Sequence, residues 1–92
     1  MRFEITRAAE RDIEKIVEYT DANFGKAQTG EYLAGLYYSF DLLTDNPKMG
    51  LSFDTTRRRY IYKSHYVYYR IEEDILKILR IRHTRLKEPQ RR

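Results

Sequence analysis

The sequence predicts an α+β fold: a short strand, an antiparallel helical hairpin, then a three-stranded antiparallel meander, with both helices packed on one face of the sheet. Two observations carry this reading. The last third of the chain holds three runs rich in Ile, Val and Tyr, beginning at Tyr60, His65 and Ile75 and separated by the short polar breaks Lys63-Ser64 and Glu73-Asp74, the pattern of consecutive hairpin strands. Ahead of them lie two stretches whose apolar residues recur every three or four positions, as on one face of a helix.

Each element can be justified in order. Arg2 to Ile5 alternates polar and apolar residues, a short strand. Thr6 has a hydroxyl suited to cap a following helix. Ala9, Ile13, Ile16 and Val17 form one apolar stripe, which Phe24 restores one turn beyond Thr20. Gly25 stands where a helix can end in a left-handed conformation. A second helix from about Ala27 to Asp45 presents Leu33, Leu36, Tyr37, Phe40 and Leu43, and Asn46-Pro47 stops it. Residues 48–56 have no period and read as a loop, and Arg57 opens the meander. Strict alternation places Val67, Tyr69 and Ile71 on one face and Tyr66, Tyr68 and Arg70 on the other. In the last strand it sets Leu79 and Ile81 opposite Ile78, Arg80 and Arg82. Residues 1–92 are expected to form a single domain, with a flexible tail from about residue 87.

Composition narrows the function. The 92 residues contain no cysteine, so disulfides and thiolate metal sites are excluded. No apolar run approaches the roughly 20 residues of a membrane span, and the N-terminus lacks the apolar core of a signal peptide, so a cytoplasmic protein without membrane contacts is expected. The net charge of +4 conceals a division: residues 1–56 sum to −4 and residues 57–92 to +8. Such asymmetry suggests an anionic partner for the C-terminal part.

The chemistry-bearing residues cluster there. Arg57-Arg58-Arg59 is the densest basic run, and Arg80, Arg82 and Arg85 form a second. Arginine forks grip phosphates or carboxylates with paired bonds, and Tyr66 and Tyr68 offer stacking surfaces. These features suit a single-stranded nucleic acid, an acidic protein segment, or a purely structural role in which arginines shield a sheet edge. His83 ends the last strand and is either an acid–base group or a buried hydrogen-bonding residue, whereas His65 reads as solvated in a turn. The two histidines have no metal-ligand spacing, and no cofactor motif is present.

The order strand, two helices, three strands resembles the ParE/RelE superfamily of bacterial toxins, and the ParE branch more closely. The likeness is carried by "AAERDIEKIVEY" at Ala8–Tyr19, by Phe24-Gly25 with Ala27-Gln28 and Tyr32, by Asn46–Gly50, and by "HYVYYRI" at His65–Ile71 followed by "ILRIRHTR" at Ile78–Arg85. It spans roughly residues 2–86. The resemblance implies a toxin of a type II toxin–antitoxin pair that poisons DNA gyrase, is not itself an enzyme, and meets nucleic acid only through its target or antitoxin. A ParD-like antitoxin would neutralise it by wrapping it with a C-terminal segment. A segment that folds on binding must bury apolar anchors and pair its acids, so an acidic amphipathic helix is expected across Leu33, Leu36 and Tyr37 and the basic residues Arg57, Arg58, Arg59 and Arg80. Arg82, His83 and Arg85 are the expected target contacts.

The RelE branch, whose members cut messenger RNA on the ribosome, is the alternative, with Arg80 and His83 in the catalytic roles. No aromatic residue follows His83 where that branch commonly has a tyrosine. The ParE pattern is also incomplete, since Lys87 stands where an acid is common. A basic nucleic-acid-binding or adaptor module is a further alternative.

Overall fold

A computed structural model describes residues 1–86. The tail expected to be flexible, 87–92, lies outside the described residues. The elements are β1 (Arg2–Ile5), α1 (Arg7–Phe24), α2 (Lys26–Asp45), β2 (Leu51–Ser52), β3 (Arg58–Tyr62), β4 (His65–Glu72) and β5 (Ile75–His83). They build one mixed sheet in the order β1-β5-β4-β3-β2, with β1 parallel to β5 and every other pair antiparallel. The fifth strand, β2, lies in the stretch read as a loop. Its two exposed residues pair with Arg59 and Arg58, too short a run to show a period. No helix among the described residues is long and apolar enough to cross a membrane.

The helical hairpin is set by its ends. The Thr6 hydroxyl accepts the Ala9 amide at 3.3 Å, so α1 starts at Arg7 behind the expected cap. Gly25 adopts φ +88°, and its amide bonds the carbonyls of Thr20 and Asp21. A side chain would oppose that φ, and this single residue separates the two helices. Their buried faces meet the sheet in one core: Ala9, Ile13, Ile16, Leu36, Phe40 and Leu43 pack on Val67, Tyr69, Leu76, Ile78 and Ile81. Phe24, expected on the stripe, is 65% exposed. It lies at the last turn of α1, beyond the sheet residues that cover the rest of the stripe.

The meander departs from strict alternation at one point. Tyr68 pairs with Arg80 but Tyr69 pairs with Ile78, so Leu79 is an extra residue in β5. Such a bulge bends the strand and resets which face each residue takes. Ile78 and Ile81 are therefore both in the core, not on opposite faces as alternation implied. Tyr68 is buried as well, but under Phe53, edge-to-face at 5.1 Å. The two hairpin turns use positive φ at Lys63, Glu73 and Asp74, matching the twist of adjacent strands.

Gly35 of α2 faces Tyr62 of β3. A Cβ there would lie 2.0 Å from the Tyr62 hydroxyl, which donates to the Tyr32 carbonyl at 2.9 Å. Gly30, on the same helix, has nothing within 4 Å of its Cβ position. Gly30→Ala should therefore stabilise the protein by about 0.5–1 kcal/mol through helix propensity. Gly35→Ala should destabilise it by about 1–3 kcal/mol through overpacking. Urea unfolding of the two variants beside the parent checks both signs.

Candidate functional site

β5 outruns its parallel partner. β1 covers only Ile75 to Ile78, while β5 continues to His83. An open strand edge exposes unpaired amides and carbonyls, and side chains at the start of the chain satisfy this one. The Thr6 hydroxyl donates to the carbonyls of Ile78 and Leu79 at 2.9 and 3.1 Å. Asp12 on α1 accepts the Ile81 amide at 2.9 Å. It also accepts two bonds from the Arg80 guanidinium, at 2.8 and 3.1 Å. Asp12 is one of the few buried polar residues, and this geometry explains why it is tolerated there.

Beside this junction lies a cleft of about 670 Å³. Its floor is apolar, with Ile16 and Ile81. Tyr19, Phe24 and Leu86 form an aromatic and aliphatic rim at 64%, 65% and 56% exposure. The other wall carries Arg80, Arg82, His83, His65 and Tyr32, with Lys15 contributed by α1. Apolar surface of this extent next to convergent cations is what a docking site presents.

The two histidines are direct cross-strand partners, with ring centroids 5.3 Å apart and planes nearly perpendicular. The Tyr32 hydroxyl hydrogen-bonds His65 Nδ1, and His83 Nδ1 accepts the Arg85 amide at 3.1 Å. Burial, reinforced by His83 and partly opposed by Asp12, lowers the His65 pKa to about 4. His65 is thus a neutral, half-buried residue at neutral pH, not a solvated turn residue. Burial also raises the pKa of the Tyr32 phenol.

The expected site residues divide. Arg80, Arg82 and His83 come together in the cleft, and Arg85 is exposed just beyond it. Arg57 and Arg58 line a separate, smaller depression with Arg70. Arg57 is ion-paired to Asp54 at 2.6 Å and stacked over Phe53, and Arg59 stacks over Tyr66 at 4.1 Å. The basic run thereby clamps the cover over Tyr68. Leu36 is fully buried, which overturns its expected place on a docking surface: it belongs to the core stripe of α2. Leu33 packs partly against that core, and Tyr37 remains 40% exposed.

Asp12 and Tyr19 were not singled out from sequence, Tyr32 entered only through the family likeness, and His65 was read as solvated. Asp12 alone left a signal, an acid on the buried spacing of α1.

A family model described as the ParE toxin of type II toxin–antitoxin system, parDE, matches residues 3–87. Toxin ParE1 of Mycobacterium tuberculosis is 29% identical over 89 residues, covering 92% of this chain and 91% of that protein. Toxin ParE1 of Caulobacter vibrioides is 27% identical over 84 residues, covering 88% and 86%. A solved structure described as a chromosomal ParDE TA system from P. aeruginosa superposes with a TM-score of 0.79 at 19% identity. It covers 90% of this chain and 95% of that one, which establishes likeness of fold.

Two outcomes are expected from the cleft wall. Asp12→Ala should cost about 2–3 kcal/mol of stability, because it strands a buried amide and removes charge-assisted bonds. Denaturant midpoints of this variant and the parent measure it. His65 has a folded pKa depressed from 6.5 to about 4, so the unfolded chain binds the extra proton. Its contribution is present above about pH 6.5 and is lost as pH falls towards 4. His65→Gln should flatten that part of the stability–pH curve, read as the difference between variant and parent.

Proposed function

The chain belongs to the ParE toxin family of type II toxin–antitoxin systems, and from that premise we propose that it inhibits or poisons DNA gyrase in the cytoplasm and is neutralised by a ParD-like antitoxin whose acidic segment fills the cleft beside Arg80, Arg82 and His83. The observation that carries this reading is the match to the toxin family over residues 3–87. The cleft supports the antitoxin part. A segment that folds on binding loses conformational entropy and needs buried apolar area to offset it. Tyr19, Phe24 and Leu86 supply that area, and Lys15 and Arg82 supply charge for its acids.

In this reading Leu33 and Tyr37 on α2, and the Arg57–Arg59 edge, are outer contacts of a wrapping segment, and Leu36 is excluded. The gyrase contacts are assigned to Arg82, His83 and Arg85, so that an antitoxin lying in the cleft masks them directly.

The protein acts by binding and not by catalysis. Cleavage at an RNA 2′-hydroxyl requires a base, an acid and charge stabilisation in concert. Here the Arg80 fork is held by Asp12, and His65 Nδ1 is engaged by Tyr32.

The test is a plasmid assay with purified toxin, gyrase and ATP, scored for trapped cleaved DNA after protease and detergent. The expected result is cleaved plasmid, lost when the ParD-like antitoxin is added first. Unchanged supercoiling and no cleavage would reject gyrase as the target, and messenger-RNA cleavage in a translating extract would then support the RelE-type alternative.

A further inference from the structure

The histidine pair lies outside the buried core cluster, half-enclosed in the cleft wall. His65 opens β4, His83 closes β5, and their rings meet edge-to-face. The charges around the pair are nearly all positive. α1 contributes Lys15, and β5 contributes Arg80 and Arg82. α2 contributes the neutral Tyr32 phenol, with Lys63 of the turn 5.9 Å above its ring, and Arg85 follows His83. Among the described residues the one acid lining the cleft is Asp12, and its oxygens already accept the Arg80 guanidinium and the Ile81 amide.

An imidazolium in this wall therefore meets repulsion, and the acceptors within reach of His65 Nδ1, the hydroxyls of Tyr32 and Ser64, are neutral. A divalent cation would meet the same repulsion, so the surroundings favour an anion over a metal. A carboxylate that enters beside the rings reverses the balance. It gives a protonated imidazole a partner of opposite charge within a partly desolvated site, where such an interaction is stronger than in water. His83, edge-to-face with His65, opposes a positive charge on that ring.

We propose that the His65–His83 pair couples capture of the antitoxin to proton uptake: an acidic side chain of the docking segment seats beside the two rings and brings one proton with it. This rests on the reading that the antitoxin segment occupies the cleft. Affinity then rises as pH falls, by at most tenfold per pH unit for one proton. The carboxylates of the partner are already ionised above pH 6 and add nothing to this slope.

The experiment is calorimetric titration of the 92-residue chain with its ParD-like antitoxin between pH 8 and pH 6, at fixed ionic strength, in buffers of different ionisation enthalpy. The expected result is a dissociation constant about tenfold lower at pH 6 than at pH 8, with net proton uptake approaching one. His65→Gln and His83→Gln should each reduce the uptake and flatten the pH dependence of the affinity. Phe24→Glu, on the exposed rim, should weaken binding at every pH. If Phe24→Glu binds as the parent does, the cleft is not the antitoxin site, and both readings fall. If Phe24→Glu weakens binding but the parent shows no pH dependence and no uptake, the dock stands and the proton coupling is wrong. Should the histidine variants fail to fold, NMR titration of the imidazole resonances decides with the parent protein alone. A rise of at least one pH unit in the titration midpoint of either ring on complex formation supports the coupling, and unchanged midpoints overturn it.

Discussion

The carboxylate of Asp12 is the point on which the arrangement of this molecule turns. It joins α1 to the part of β5 that β1 leaves uncovered, and in doing so it fixes the first helix, the free sheet edge and the Arg80 side chain together. Without an acceptor the Ile81 amide would be a buried donor lacking a bond, and Arg80 would be a cation beside the apolar residues Ile16 and Ile81. Thr6 performs the neighbouring task, since one hydroxyl caps the helix and also reaches the carbonyls of Ile78 and Leu79. The open edge is thus closed by side chains rather than by a longer first strand. That economy leaves the far end of β5 free to form a cleft wall.

The same edge shows where the sequence is legible and where it is not. Hydrophobic periodicity and turn residues identify both helices, the first strand and the meander, because each has a local signature. The bulge at Leu79 has none. It is a property of the pairing between β4 and β5, and only the register reveals that Ile78 and Ile81 share the core. β2 is missed for a related reason: two residues become a strand solely because Arg58 and Arg59 lie alongside.

The candidate site was half legible. The concentration of arginine and histidine after residue 57 is plain in the sequence, and Arg80, Arg82 and His83 do converge. Which cations are already engaged is not plain. Arg57 and Arg59 cover Phe53 and Tyr66, and Arg57 is paired with Asp54. The aromatic rim of the cleft, Tyr19 and Phe24, comes from the acidic half of the chain. Their meeting with the basic half depends on a helix-to-strand contact some sixty positions apart, which composition does not encode. His65 illustrates the same limit, since a turn-proximal histidine becomes half-buried only through Tyr32 and His83.

These features also bear on why such a cleft persists in so small a protein. A chain of 92 residues buries a modest share of its surface and has little stability in reserve. Leaving Tyr19, Phe24 and Leu86 in water forgoes roughly 1.5–3 kcal/mol for each large side chain that might have been buried. The cluster of cations opposite them adds mutual repulsion. Both costs fall on the free protein, and the proposed acidic, amphipathic segment would relieve them by covering the cleft. A partner that binds only the folded form stabilises it by about 2.7 kcal/mol at a hundred times its dissociation constant. If the proposed docking holds, the free protein is less stable than its complex, and the surface that would serve as its ligand site is the one it exposes when unbound.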